Sequence, residues 1–253
     1  MQIASQHNPT YPIHQVPPSR PFVWLGLAWQ DLTHHRSASL AYGLIISLMG
    51  MVILAYDRHP YFIAMAITGF LLLGPILAAG LCELSRCSDQ HEETSFDASL
   101  RALRRNRENL LGLASRLLFF SVAWFVLSYL AIKAVLGEVA PTMGETAGGD
   151  VLFRISGEQL LAYILSGGGL AILVFAASVV TVPMIIEHHG DAASAIRTSL
   201  RVVRKNFFAM LVWAVIIVTL SAVGFATFLF GMIVIFPLLG HATWYAYRDL
   251  VEQ

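Results

Sequence analysis

The chain alternates short polar stretches with long runs that carry almost no charge. Ser39–Tyr56 and Tyr61–Cys82 are uncharged runs, separated by the polar turn Asp57-Arg58-His59-Pro60. Leu117–Leu136 follows with Lys133 as its one charge, then the uncharged Leu160–Ile186. Phe207–Tyr247 contains no Asp, Glu, Lys or Arg. A helix needs about 20 apolar residues to cross a hydrocarbon core of roughly 30 Å. The last stretch is therefore read as two spans turning near Gly224–Gly231, and the whole as six transmembrane helices.

Three amphipathic segments introduce these spans. Pro21 suits the first turn of a helix, where its missing N–H would be unpaired anyway. Phe22, Leu25, Trp29 and Leu32 then recur at spacings of three and four, as one helix face requires. The spacing predicts an interfacial helix lying on the membrane and ending in His34, His35 and Arg36. Phe96, Leu100 and Leu103 form the stripe of a second helix, for which Thr94 and Asp97 have capping-box spacing. Ile196, Leu200 and Val203 form the stripe of a third, with Asp191 as its expected N-cap.

The second and third helices carry one phrase. Ser99-Leu100-Arg101-Ala102-Leu103-Arg104-Arg105-Asn106 returns as Ser199-Leu200-Arg201-Val202-Val203-Arg204-Lys205-Asn206. Together with Pro75, Pro183 and Pro237 in alternate spans, this predicts a threefold repeat of amphipathic helix, span, span. The expected fold is all-α and polytopic: a disordered cytoplasmic tail over residues 1–20, rich in proline, and a single six-span membrane domain over 21–253.

Composition sharpens this. Apolar residues make up 57% and charged residues 13% of the 253, against about 25% charged in soluble domains. Net charge is zero, so overall charge gives nucleic-acid binding no support. The distribution of charge matters more. Of the 16 Lys and Arg, all but Arg58, Lys133 and Arg154 fall on the side that would hold both termini and the amphipathic helices. The excess of bases marks that side as cytoplasmic. Arg101, Arg104, Arg105, Arg201, Arg204 and Lys205 are accordingly the candidates for contact with anionic headgroups or a partner.

Candidate chemistry is sparse. No catalytic triad, zinc motif or nucleotide-binding loop is visible, so the chain is read as non-enzymatic, with no cofactor and no metal site. Cys82 and Cys87 are five apart, not a metal-ligand spacing, and are expected to be reduced thiols. Glu187, His188, His189 and Asp191 are read as a solvated helix end, and the acidic residues of the 137–158 loop as a flexible loop. His241 is the one imidazole placed inside a span, four residues past Pro237. It is either a neutral histidine hydrogen-bonded to a neighbouring helix or Tyr245, or a proton- or solute-sensing site.

These residues resemble a bacterial integral-membrane family catalogued as domain of unknown function 2189. The resemblance rests on Pro21-Phe22-x-Trp24-Leu25, Trp29-x-Asp31-Leu32, Ser39-Leu40-Ala41-Tyr42-Gly43, Gly74-Pro75, Glu83-Leu84-Ser85-Arg86, Ser199-Leu200-Arg201 and the segment Pro237 to Trp244. It implies a multi-pass protein of the bacterial inner membrane and brings no established activity. A haem–copper subunit would need several histidines inside the spans, and only His241 is there. Two functions remain open: a non-catalytic scaffold or assembly partner working through its basic helices, and a transporter or channel for a small solute.

Overall fold

The structure is a computed structural model that describes residues 11–55, 74, 77–136, 157–188 and 191–251. Among these the fold is all-helical, with no strand. The helices are α1 (Arg20–His34), α2 (Arg36–Ala55), α3 (residues 77–89), α4 (Phe96–Arg105) and α5 (Arg107–Leu136). They continue with α6 (Gly157–Ser178), α7 (Thr181–His188), α8 (Ala192–Lys205), α9 (Phe207–Ala226) and α10 (Met232–Val251). The Asp57–Pro60 turn, most of the expected second span with Pro75, and all of the acidic loop except Gly157 and Glu158 lie outside the described residues.

Two helical stretches are long and apolar enough to cross a membrane, Ala171–His188 and Phe207–Ala226, and Arg36–Val52 is a shorter apolar helix. A core helix of a soluble protein would pass the same length test but would be mostly buried. Only 22% of Phe207–Ala226 is buried, and Phe207, Phe208, Leu211, Val215 and Val218 all point outward.

Each amphipathic helix passes into the next helix through a single residue. His35, Asn106 and Asn206 adopt φ/ψ of −113/44°, −97/11° and −117/37°. Each donates its N–H to the carbonyl four residues back, and its own carbonyl accepts from the residue four ahead. The hydrogen-bond ladder therefore runs through every break. Burial repeats around them too: residues 101–108 and 201–208 have the same sequence of exposed and buried positions. Asp31, Ala102 and Val202, four residues before each break, are all buried.

The inward faces do not coincide with the apolar stripes. α1 buries Trp24, Ala28 and Asp31 together with Leu32 of the stripe, while Phe22 and Trp29 are 62% and 52% exposed. α4 buries Ser99 and Ala102, and α8 buries Ala192, Ala195, Thr198, Ser199 and Val202. Small and polar residues thus make up much of the inward faces, alongside Trp24, Leu32 and Val202. The capping of α4 also differs from expectation. Ser95 is the N-cap and accepts from the Ala98 N–H at 3.1 Å, because the Thr94 hydroxyl is engaged by His35. Asp191 caps α8 as expected.

α10 is the centre of packing and contacts α1 and α2 most extensively. Its Pro237 removes the donor that the Ile233 carbonyl would use in an unbroken helix. Gly43 of α2 lies directly against that carbonyl, so closely that a methyl group there would collide with backbone. Pro183 acts differently. It denies a donor to the Val179 carbonyl, and the helix is interrupted at Val179–Val180, between α6 and α7.

Of the tail expected to be disordered, residues 1–10 lie outside the described residues, but 11–19 are held. The His14 N–H donates to the Leu250 carbonyl at 2.9 Å. The Asn206 amide grips the backbone on both sides, accepting from Val16 N–H at 3.0 Å and donating to the His14 carbonyl at 2.9 Å. Tyr11 stacks on His188, which also bonds the Tyr247 hydroxyl and stays exposed at the end of α7.

The glycines make a paired test. Gly43→Ala should lose about 1–3 kcal/mol through overpacking against immovable backbone. Gly26→Ala, where nothing lies within 4 Å, should gain up to about 1 kcal/mol. Thermal melting of both variants in mild detergent measures the contrast.

Candidate functional site

The most concentrated polar chemistry lies where α1, α2, α3 and α10 meet. The register of each helix puts it there. Trp24, Ala28, Asp31 and His35 share one face of α1 at spacings of four, three and four, so a face led by Trp24 delivers Asp31 inward. Ser39 lies one turn into α2, Ser85 and Ser88 on successive turns of α3, and His241 and Tyr245 on successive turns of α10.

Asp31 is the hub and is 6% exposed. Its Oδ2 accepts from the Ser85 hydroxyl at 2.6 Å and from the Tyr245 hydroxyl at 2.9 Å. Its Oδ1 accepts from the Ser88 hydroxyl at 3.2 Å. His241, wholly buried, sits between two serines, with Ser85 Oγ 2.7 Å from Nδ1 and Ser39 Oγ 2.9 Å from Nε2.

Donor counting orders these contacts. Ser85 has one proton and gives it to Asp31, so toward His241 its oxygen can only accept. His241 Nδ1 therefore carries the hydrogen and donates. In the neutral ring Nε2 must then accept from Ser39. The same logic runs outward. Ser88 spends its proton on Asp31, so His35 Nε2, at 3.3 Å, donates to Ser88, and His35 Nδ1 accepts from Thr94 at 2.9 Å. Burial without a paired cation pushes the Asp31 carboxyl above its usual range, against the pull of its three hydroxyl donors.

Two charged groups flank this hub. Asp89 accepts from the Trp244 indole at 2.7 Å and lies 3.9 Å from the Arg248 guanidinium. Glu83, 4% exposed, takes a two-pronged contact from Arg86 at 2.9 Å on each oxygen, and Arg86 also reaches Glu92 at 2.8 Å. Cys82 and Cys87 are both free and buried, and burial beside Glu83 pushes the Cys87 thiol up to about 12. At the start of α1, Asp249 of α10 accepts from Arg20 at 2.5 and 3.0 Å and from the Trp24 indole at 2.6 Å. Burial would raise the Asp249 carboxyl, but the bonds to Arg20 and Trp24 outweigh it and hold the group below its usual value.

The basic residues singled out from sequence stand apart from this hub. Arg101, Arg104 and Arg105 are exposed on α4, and Arg201, Arg204 and Lys205 on α8. Arg104 and Arg105 line a shallow cleft of about 390 Å³ with Asn106, Arg107, Glu108 and Asn109. Lys205 donates to the Ile13 carbonyl at 2.5 Å. His241 bonds to neighbouring helices, as one of the two expectations had it, but Tyr245 reaches Asp31 and not His241. Asp31, Ser39, Ser85 and Ser88 were not anticipated as its network. The available signal was the second, non-stripe face of α1, and the first three already stand in segments that carry the family resemblance.

The outward apolar side chains of Phe207–Ala226 fit a helical membrane protein. Residues 62–187 match the family described as "predicted integral membrane protein (DUF2189)", and over these residues the chain belongs to that family. No curated protein and no solved structure matches the chain.

Asp249 gives a pH test. Its folded value lies below the ordinary 3.8, so its contribution is present above that pH and is lost as pH falls through the depressed value. Asp249→Asn should cost about 1 kcal/mol near neutrality, a small figure because Arg20 is 41% exposed. The gap between the variant and the natural chain should hold above pH 3.8 and narrow as melting is measured at progressively lower pH.

Proposed function

We propose that the protein is a six-span, non-catalytic scaffold or assembly partner of the bacterial inner membrane, with both termini in the cytoplasm. Its three helix–break–helix units grip the cytoplasmic leaflet. The observation that carries this reading is the matched geometry of the breaks after α4 and α8. Each leaves two bases exposed in the last turn, Arg104 with Arg105 and Arg204 with Lys205, immediately before a long helix. After the break at Asn206 the next two residues, Phe207 and Phe208, are 57% and 70% exposed. Bases followed by outward aromatic rings suit a headgroup–hydrocarbon boundary. The recurrence of the same kind of break at His35, with a buried residue again four positions before it, supports the threefold repeat and one shared orientation for its units. The exposed bases would then recruit anionic lipid, a membrane partner, or both.

One observation favours a small-solute transporter instead. The break at Val179–Val180 interrupts a stretch otherwise long enough to span, and discontinuous helices line solute sites in transporters. On that reading proteoliposomes would show flux of a small solute that Pro183→Ala alters.

Two measurements bear on the first reading. Replacing Arg104, Arg105, Arg204 and Lys205 with Ala removes four contacts worth about 1 kcal/mol each at an anionic surface. Native mass spectrometry should then find several-fold less phosphatidylglycerol retained. Undiminished retention, with orientation intact, would remove the lipid-gripping role. Separately, a reporter fused at Gly149 should register the periplasm, and fusions at Asp89 and Gln253 the cytoplasm. A periplasmic signal at Asp89 would end the six-span arrangement.

A further inference from the structure

We propose that Asp31 is a proton-binding site, and that His241, held neutral between two serines, is the positioning residue that fixes its hydrogen-bond partners. The ligand is the proton itself, and the inference is independent of the lipid-gripping role.

The geometry separates the two titratable groups. His241 cannot take a proton from Ser85, because its Nδ1 already carries one and points it at that oxygen. Its other nitrogen faces Ser39, which is wholly buried and has no route outward in the network. Asp31, by contrast, is joined to half-buried groups by Ser88 Oγ at 3.2 Å, then His35 Nε2 at 3.3 Å, then Thr94 at 2.9 Å from His35 Nδ1. A proton arriving on His35 Nδ1 in place of the Thr94 hydroxyl lets Nε2 pass its own hydrogen to Ser88. Ser88 in turn passes its hydrogen to Asp31 Oδ1. One proton enters, one carboxylate becomes a carboxyl, and His35 is left neutral with its hydrogen on Nδ1.

No competing charge satisfies Asp31. On α3, Arg86 is occupied by Glu83 and Glu92, and Asp89 adds a like charge. On α10, Arg248 lies against Asp89, Tyr245 only donates its hydroxyl hydrogen, and the imidazole of His241 is 3.9 Å away. His35 follows α1, and Arg36 of α2 donates to the Thr33 carbonyl. Among the described residues, Asp31 is thus a buried anion held by hydroxyls without a guanidinium or ammonium partner, the setting in which a carboxyl takes up a proton readily. Its raised folded value means that its contribution to stability is present at low pH and falls away as pH rises through that value.

The test uses the full-length protein in lipid nanodiscs with ¹³C-labelled aspartate and ¹⁵N-labelled histidine. Infrared titration should show a protonated-carboxyl band that appears at higher pH than for exposed aspartates and is absent in Asp31→Asn. Asparagine can accept from Ser85 and Tyr245 and donate to Ser88, so this variant is expected to fold. Ser88→Ala removes one donor to the carboxylate and should move the midpoint upward, which keeps the proposal testable if Asp31→Asn does not insert. The ¹⁵N spectrum should hold His241 in its Nδ1–H neutral form from pH 5 to 8. A band that persists in Asp31→Asn, a midpoint unmoved in Ser88→Ala, or a His241 that becomes doubly protonated in that range would overturn it.

Discussion

Between helices surrounded by hydrocarbon, an apolar contact with a neighbour gains little over an apolar contact with lipid. What holds such helices together is close backbone approach and hydrogen bonds that lipid cannot offer. The packing here follows from that constraint. Beside Trp24, Leu32 and Val202, α1, α4 and α8 turn alanine, serine, threonine and, once, aspartate toward the protein. The Tyr42 hydroxyl bonds Ser99 at 2.7 Å, Ser199 donates to the Ala176 carbonyl at 2.7 Å, and Ser47 donates to the Leu229 carbonyl at 2.9 Å. Each is a polar tie between separate elements that water would compete for in a soluble protein.

α10 shows how far this can be taken. Along its inward side it presents Gly240 against Leu81, His241 between two serines, Trp244 to Asp89, Tyr245 to Asp31 and Asp249 to Arg20 and Trp24. Pro237 removes one backbone bond from this helix without interrupting it, whereas Pro183 coincides with a gap between α6 and α7. The difference lies in the surroundings. Gly43 of α2 covers the carbonyl that Pro237 leaves without its helical donor.

Periodicity made the helices and their order legible, because long uncharged runs and 3.6-residue stripes are local properties. The phrase shared by α4 and α8 also marked the positions of two breaks, since Asn106 and Asn206 end both copies. The inward faces were harder to read. A stripe rule looks for large apolar residues, and those residues of α1 include Phe22 and Trp29, which point outward. Asp31 was hidden because its partners come from α3 and α10, 54 to 214 positions away. Thr94 reads as a cap because the capping box is a local pattern, while its actual partner, His35, is 59 positions earlier. His241 was visible as the one imidazole in a span, but which nitrogen carries hydrogen depends on serines that no spacing connects to it.

Cys82 and Cys87 bear on how the protein meets oxidants and electrophiles. Both sulfurs are buried, Cys82 completely and Cys87 to within 4%. With its thiol pushed up to about 12, Cys87 holds almost no thiolate at neutral pH, and the thiolate is the form that reacts. Peroxide, disulfide reagents and maleimides therefore find little to attack in the described part of the chain. The natural protein is in effect a silent background, against which a single cysteine introduced at an exposed loop position such as Glu93 would answer alone.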